Sequence, residues 1–408
     1  MRIALIGNLN NNFFPIALHL KKAGYDVTLF YRYSVEHFQP KADTFFLKDL
    51  EVCKEVFWSS RLTEENRKQI TKNLVGFDFY IGQGDEAALA AFAGINFDVY
   101  YPYGSDFYKY AWQPEKYSIL QIVYNKLISK MPIEESLAGT LAGQIKKAIV
   151  NAKNVLLDST NSEYENKLIN LNLKGQHQNF PMPFVYPDTY LDNNRLDTHW
   201  KTEIDKLRTA NDFLVLYHGR QEWKKALTYK NNDFTNKNTQ NLIYGFASFV
   251  KKNQGLSASL VLLDYGNDVN NSKDLIDELG ISSHIVWLPK MYRKDLMYLI
   301  SLVDVCSGEF NRSFLTFGTV IEAMLMGKPV INYREDSLYK AQYPELYPCY
   351  VAREPLEIEA AIQRAWENPK ERIAMGQAAR EWVLRYFVEK PVKKLVEIIE
   401  NKRTILNK

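Results

Sequence analysis

Cysteine is scarce: Cys53, Cys306 and Cys349 are the three in 408 residues, odd in number and far apart. No pair has metal-ligand or redox-motif spacing, so a disulfide framework and a zinc site are both disfavoured and a reducing cytoplasm is the expected compartment. Long hydrophobic runs are missing too, with nothing approaching the ~18 apolar residues of a membrane span. The first residues run straight into a strand pattern, so no signal peptide is expected. Strong charge of either sign is absent. Lysine plus arginine total 51 against 48 aspartate plus glutamate, a net +3. That is too mild to argue for nucleic acid, but it suits an anionic small ligand or the rim of an anionic membrane. Histidines number six, and His19, His37, His177, His199 and His284 show no ligand spacing, so no metal is expected. The first loop, Gly7-Asn8-Leu9-Asn10, lacks Gly-x-Gly-x-x-Gly, which argues against a nicotinamide dehydrogenase.

What is present is ordinary globular composition, 46% apolar and 24% charged, with 26 Tyr and 22 Phe, a surplus that fits sugar handling. The length predicts two to three domains. Apolar runs at 2–6 and 26–31 read as buried parallel strands, and 13–23 between them has helical spacing, with Pro15 in its first turn and Gly24 as its stop. Further strands are expected at 77–82, 99–102 and 154–158. The helical stretch 117–131 carries Ile119, Leu120, Val123, Leu127 and Ile128 on one side, flanked by Lys116, Lys126 and Lys130. Such a face packs on a core or rests on a membrane surface; the core is the expected place. Around 172–190 the prolines Pro181, Pro183 and Pro187 predict an interdomain linker.

A second alternating series follows, with strands at 212–217, 258–263, 285–288, 303–307 and 329–332 and helices at 239–251, 293–301, 319–326 and 356–367. The last stretch, 372–401, reads as two helices broken near Glu389–Pro391. Two strand–helix series flanking a linker define an α/β chain of two facing doubly wound, Rossmann-like domains with a cleft between them.

The most informative stretch runs from Val303 to Asn332. Gly318 opens a helix whose first amides, at Thr319 and Val320, suit an anion such as a diphosphate. Glu322 in its first turns can accept two hydroxyl hydrogen bonds, as a ribose offers, or simply complement the helix dipole.

Glu322-Ala-Met-Leu-Met-Gly-Lys-Pro-Val-Ile resembles the signature of retaining family 4 glycosyltransferases with the GT-B fold. In that family two glutamates are separated by seven residues. Glu322 matches the second, which holds the ribose; the first, which contacts the donor sugar, is Phe314 here, and Glu309 is the nearest acidic candidate. His218-Gly219-Arg220 followed by Lys237 and a helix is similar to the family's Gly-Arg and Lys-Gly blocks, whose cations neutralise the donor diphosphate. Lys225 rivals Lys237 for that role, and residues 229–236 between them read as an inserted polar loop. The resemblance implies Arg220 and Lys237 as the catalytic cations. It also implies donor contacts from Gly219, Glu309, Gly318, Thr319, Val320 and Glu322, with Asn11 from the loop Asn8–Asn12 where relatives are Gly-rich.

At the end of the 99–102 strand, Tyr101-Pro102-Tyr103-Gly104-Ser105-Asp106 lacks the histidine of many relatives. Ser105 and Asp106 are the acceptor-binding candidates there, with a helix N-cap as the alternative for Asp106. The turn Gly82-Gln83-Gly84-Asp85-Glu86 reads as an ordinary turn and cap, with an acceptor contact as the alternative. The domain expectation is an N-terminal acceptor-side domain over 1–184, a nucleotide-sugar-binding domain over 185–385, and a helix over 386–408 returning to the first. The implied activity is metal-independent retaining transfer, without cofactor, from a nucleoside-diphosphate sugar to a glycan or lipid-linked hydroxyl acceptor. The alternative is a non-catalytic nucleotide-sugar-binding or scaffold subunit.

Overall fold

Continuous apolar strands such as Ile3-Ala4-Leu5-Ile6 are covered on both faces, as parallel sheets require. The computed structural model describes residues 1–406 except 34, 130, 132, 158–167, 169, 183–184, 192–197 and 225–235. The chain divides into two compact units, Met1–Tyr186 with Phe387–Lys408, and Pro187–Tyr386.

The first unit is built on β1 (Arg2–Ile6), β2 (Asp26–Tyr31), β3 (Cys53–Glu55), β4 (Phe79–Gly82), β5 (Val99–Tyr100), β6 (Asn154–Leu157) and β7 (Gln176–Asn179). They pair in the order β3-β2-β1-β4-β5-β6-β7, all parallel. Side chains of β1 alternate between two cores. Ala4 and Ile6 join Leu89 of the Gly84–Phe92 helix and Ile149 of the Leu141–Asn151 helix. Ile3 and Leu5 join Phe13 and Ile16 of the Phe13–Lys22 helix. That second core is completed from the far end of the chain by Leu395, Ile398 and Ile399 of the Lys390–Leu406 helix. The preceding Pro369–Leu384 helix runs without interruption through a π-turn at Arg385–Glu389 into the last helix, so the break expected near Glu389–Pro391 is a local change of helical pitch.

The second unit contains β8 (Phe213–Tyr217), β9 (Ala258–Asp264), β10 (Ile285–Pro289), β11 (Val305–Ser307), β12 (Val330–Asn332) and β13 (Tyr350–Val351). Their order is β10-β9-β8-β11-β12-β13, again all parallel. Both sheets are therefore doubly wound, with the strand order reversing between β1 and β4 and between β8 and β11. At such a reversal the connections leave in opposite directions and open a crevice at the carboxyl ends of the strands.

Two expectations are corrected. The 172–190 stretch is not all linker, because Gln176–Asn179 pairs in parallel with β6. An edge strand with one neighbour need not be apolar, so its sequence hides it. The helix expected over 117–131 is Ile119–Leu127 and buries none of its residues, so it is not a core-facing helix.

Candidate functional site

The carboxyl ends of β8 and β11 collect most of the charged residues singled out in the sequence. After β8 the chain passes through His218, Gly219 and Arg220. The Tyr217 hydroxyl donates to the Arg220 carbonyl at 3.0 Å, and a Cβ on Gly219 would stand 2.6 Å from that hydroxyl oxygen. Glycine is thus required by close approach. Arg220 is exposed, with Nη1 3.4 Å from Glu222 Oε1.

After β11 come Gly308 and Glu309, and here Lys237 meets them. Its amide donates to the Glu222 carbonyl at 2.6 Å and its carbonyl accepts from the Phe310 amide at 3.2 Å, which pins the residue just before the Thr239–Lys252 helix. Lys237 Nζ lies 2.7 Å from the Glu309 carboxylate, and both side chains are largely buried. Burial pushes the Glu309 carboxyl up; the Lys237 ammonium and the Arg220 guanidinium oppose this without cancelling it. The Lys290 ammonium is lowered, first by burial and then by the Arg220 charge.

Glu322 belongs to the Gly318–Leu325 helix. Its Oε1 accepts from Arg293 Nε at 2.8 Å and its Oε2 lies 3.1 Å from His218 Nε2. Burial pushes this carboxyl up as well, but the His218 and Arg293 hydrogen bonds and the Arg293 charge outweigh it, and the net direction is down. A carboxylate has about four lone-pair sites, so two remain for other donors. The helix start is open to an anion: Phe317 at the N-cap offers no side-chain acceptor, the first turn has no acidic residue, and the buried Thr319 hydroxyl has no partner. Val320 is buried, and space is open around Gly318. Phe314, at the position of the missing glutamate, packs edge-on against Phe317 with centroids 4.9 Å apart, and Lys237 Nζ stands 5.8 Å from the Phe317 ring.

Other candidates lie in the first unit. Asn10 and Asn11 adopt φ of 53° and 60°, the left-handed region that asparagine tolerates. Asn8 Nδ2 donates to Asn11 Oδ1 at 2.6 Å and Asn8 Oδ1 accepts the Phe13 amide at 3.0 Å, while the Nδ2 atoms of Asn11 and Asn12 are buried without partners. Asp106 lies inside the Ser105–Tyr108 helix rather than capping it, and its carboxylate is turned inward to the Gly84 amide at 2.7 Å and the Tyr100 hydroxyl at 3.4 Å. The inward turn opposes the expectation that it meets an acceptor. Asp85 and Glu86 are held by Arg32 at 3.4 and 2.8 Å. The Ser105 side chain, Lys225 and 229–235 lie outside the described residues.

Sequence reasoning passed over His218, Arg293 and Lys290. Glu322 stands 104 residues from His218 and 29 from Arg293, and no local pattern marks such pairs. Among the described residues there is no group of three or more His, Cys, Asp or Glu able to hold a metal ion, and no helix is long and apolar enough to cross a membrane.

Residues 216–382, which contain all of these second-unit side chains, match the family model described as Glycosyl transferases group 1. No curated protein matches the chain in sequence. In structure, the chain is similar to Anabaena Alr3699/HepE in complex with UDP and glucose (TM-score 0.60, 15% identity, 98% of this chain and 100% of that one). It is similar also to sucrose-phosphate synthase from Thermosynechococcus elongatus (0.57, 16%, 100% and 100%). A third similar structure is the UDP-GlcNAc 2-epimerase from Neisseria meningitidis bound to UDP-GlcNAc (0.57, 14%, 98% and 100%). At these identities the likeness shows the fold, which is GT-B.

Proposed function

We propose that this chain is a retaining glycosyltransferase that moves a sugar from a nucleoside-diphosphate donor to a hydroxyl acceptor in glycan, polysaccharide or glycolipid assembly. The observation that carries the reading is the convergence of Arg220, Lys237 and Glu322 on the carboxyl ends of β8 and β11, inside the stretch that matches group 1 glycosyltransferases. In this reading the Glu322 carboxylate, held by His218 and Arg293, takes the ribose hydroxyls with its remaining lone pairs. The Thr319 and Val320 amides take the diphosphate. Arg220 and Lys237 stabilise the charge that grows on the leaving group, which is the work a metal ion does elsewhere. The bond from the sugar C1 to the diphosphate oxygen breaks and the acceptor oxygen bonds to C1 on the same face. The acceptor's proton passes to the leaving diphosphate, so no protein nucleophile or base is assigned. UDP is the first nucleotide to try, because the HepE structure holds UDP.

Glu309 is the residue that must adapt. Paired with Lys237 and raised by burial, it reaches the sugar only if the donor phosphate takes over that ammonium. The same pair, together with Phe314, favours the second reading, a non-catalytic nucleotide-sugar-binding subunit. Titration calorimetry with UDP, GDP and ADP tests the common ground: one nucleotide should bind, and Glu322→Ala should weaken it at least about tenfold, roughly 1.4 kcal/mol. No binding by any of the three refutes both readings. Binding without sugar transfer or donor hydrolysis leaves the second.

A further inference from the structure

We propose that the cavity between the 333–349 loop and β13 is an effector site, which takes a phosphate monoester and stiffens the chain between Glu309 and Gly318. The cavity measures about 530 Å³ and lies at the outer edge of the second sheet, with β12 between its strand and β11. That is room for a small organic molecule, more than an inorganic ion needs. Arg334 lines it, although the residue is only 5% exposed. Its guanidinium lies over the Tyr347 ring, 4.3 Å from the centroid, and that ring is fully buried against Trp382. Arg334 Nε donates to Asp336 at 2.7 Å and Nη1 to the Tyr347 carbonyl at 2.8 Å. The group is therefore held in place, and among the described residues its Nη2 keeps its N–H donors for a ligand.

Charge selects the ligand. The two acids of the cavity are already engaged, Asp336 by Arg334 and Glu345 by Arg385. Lys340 lines the same cavity, is exposed, and has no ion-pair partner among the described residues. A spare ammonium and the free edge of a guanidinium together suit the dianionic head of a phosphate monoester better than a singly charged carboxylate. Tyr343, Pro344, Leu346 and Pro348 line the rest and take the organic body. The loop that frames the cavity is also bonded to the loop that carries Glu309 and Phe314. The Glu335 amide donates to Ser313 Oγ at 2.8 Å, and the Ser313 and Tyr339 hydroxyls meet at 3.1 Å. The Tyr347 hydroxyl donates to the Leu315 carbonyl at 2.6 Å. Tyr347 is thus shared, its ring carrying Arg334 and its hydroxyl holding Leu315. A ligand on Arg334 and Lys340 restrains the segment that anchors 313–315.

Binding here needs no nucleotide; only its consequence for sugar transfer rests on the glycosyltransferase reading. The probe is phenyl phosphate, with phenol as the uncharged control. Half-buried Cys349 lines the cavity, so phenyl phosphate should slow its alkylation by iodoacetamide, read by peptide mass spectrometry. Alkylation of Cys53, in the first unit, should not change, and phenol should protect neither. Lys340→Glu should raise the concentration required at least about tenfold while the melting temperature stays as in the wild type, and Arg334→Lys should raise it too. Hydrogen exchange over 311–317 should slow with the probe in the wild type and not in Lys340→Glu. Absence of protection overturns the site, as does protection that Arg220→Ala abolishes and Lys340→Glu keeps, which would put the phosphate among the nucleotide candidates. Protection with unchanged exchange over 311–317 overturns the effector role. If UDP fails to bind and Cys349 is still protected, the function proposed above falls and this inference stands; if UDP binds and Cys349 is unprotected, this inference falls alone.

Discussion

Asp106 and Glu322 are both buried acids, and their partners send them in opposite directions. Burial pushes Asp106 up from 3.8 to about 7; the Gly84 amide opposes this, while the neighbouring Asp85 and Glu86 add to it. Glu322 ends below its ordinary value because His218 and Arg293 supply more than burial removes. The consequences for stability have opposite signs. Between about 4 and 7 folded Asp106 holds a proton that the unfolded chain has released, so it costs stability as pH rises through that window. Glu322 contributes stability above its unfolded value of 4.5, lost as pH falls through its lower folded value. Asp106→Asn keeps an acceptor for the Gly84 amide and removes the charge. Its melting temperature should match or exceed that of the wild type at pH 8, and the gap should close or reverse at pH 5. A gap that does not change with pH would place the Asp106 effect in packing instead. For turnover the decisive residue is Arg220, whose change to alanine should lower sugar transfer at least about tenfold, roughly 1.4 kcal/mol of barrier. Steady-state kinetics with wild-type rates would remove it from the mechanism.

Among the elements, the Lys390–Leu406 helix shows how much a remote segment contributes. Leu395 and Ile399 are fully buried in the core that β1 and the Phe13–Lys22 helix share. Around them, the Tyr25 hydroxyl donates to Glu400 at 2.5 Å and Lys402 pairs with Asp98 at 2.7 Å. Ile399→Ala should therefore destabilise the first unit by about 2–4 kcal/mol, read as a lower urea midpoint, although the residue lies near the chain's end. A loss under about 1 kcal/mol would mean that the helix is only loosely seated. What the sequence made legible at this scale follows burial. Runs such as Phe213–Tyr217 and Ala258–Asp264 announce strands because both of their faces are covered. β3, β7 and β13 have two to four residues at sheet edges and leave no such run. Periodicity found the Ile119–Leu127 helix, but a stripe does not say which way it points. For the site, Arg220, Lys237 and Glu322 were selected by the resemblance of their local motifs to the glycosyltransferase family. The Lys237–Glu309 contact and the grip of His218 and Arg293 on Glu322 arise only when separate loops meet at β8 and β11.

For the whole molecule, two units with separate cores mean that one unfolding free energy need not describe the chain. Glu322, Arg220 and Lys237, assigned above to the ribose and the leaving diphosphate, belong to Pro187–Tyr386, whereas the Lys390–Leu406 helix belongs to the other unit. Ligand binding stabilises only the structure that must be folded for the site to exist, by about 2.7 kcal/mol at a hundred times the dissociation constant. Differential scanning calorimetry should accordingly resolve two transitions. UDP should raise the one belonging to Pro187–Tyr386 and leave the other in place, and Ile399→Ala should do the converse, lowering the first unit's transition alone. A single transition that UDP and Ile399→Ala both move as a whole would show that the units unfold as one cooperative body.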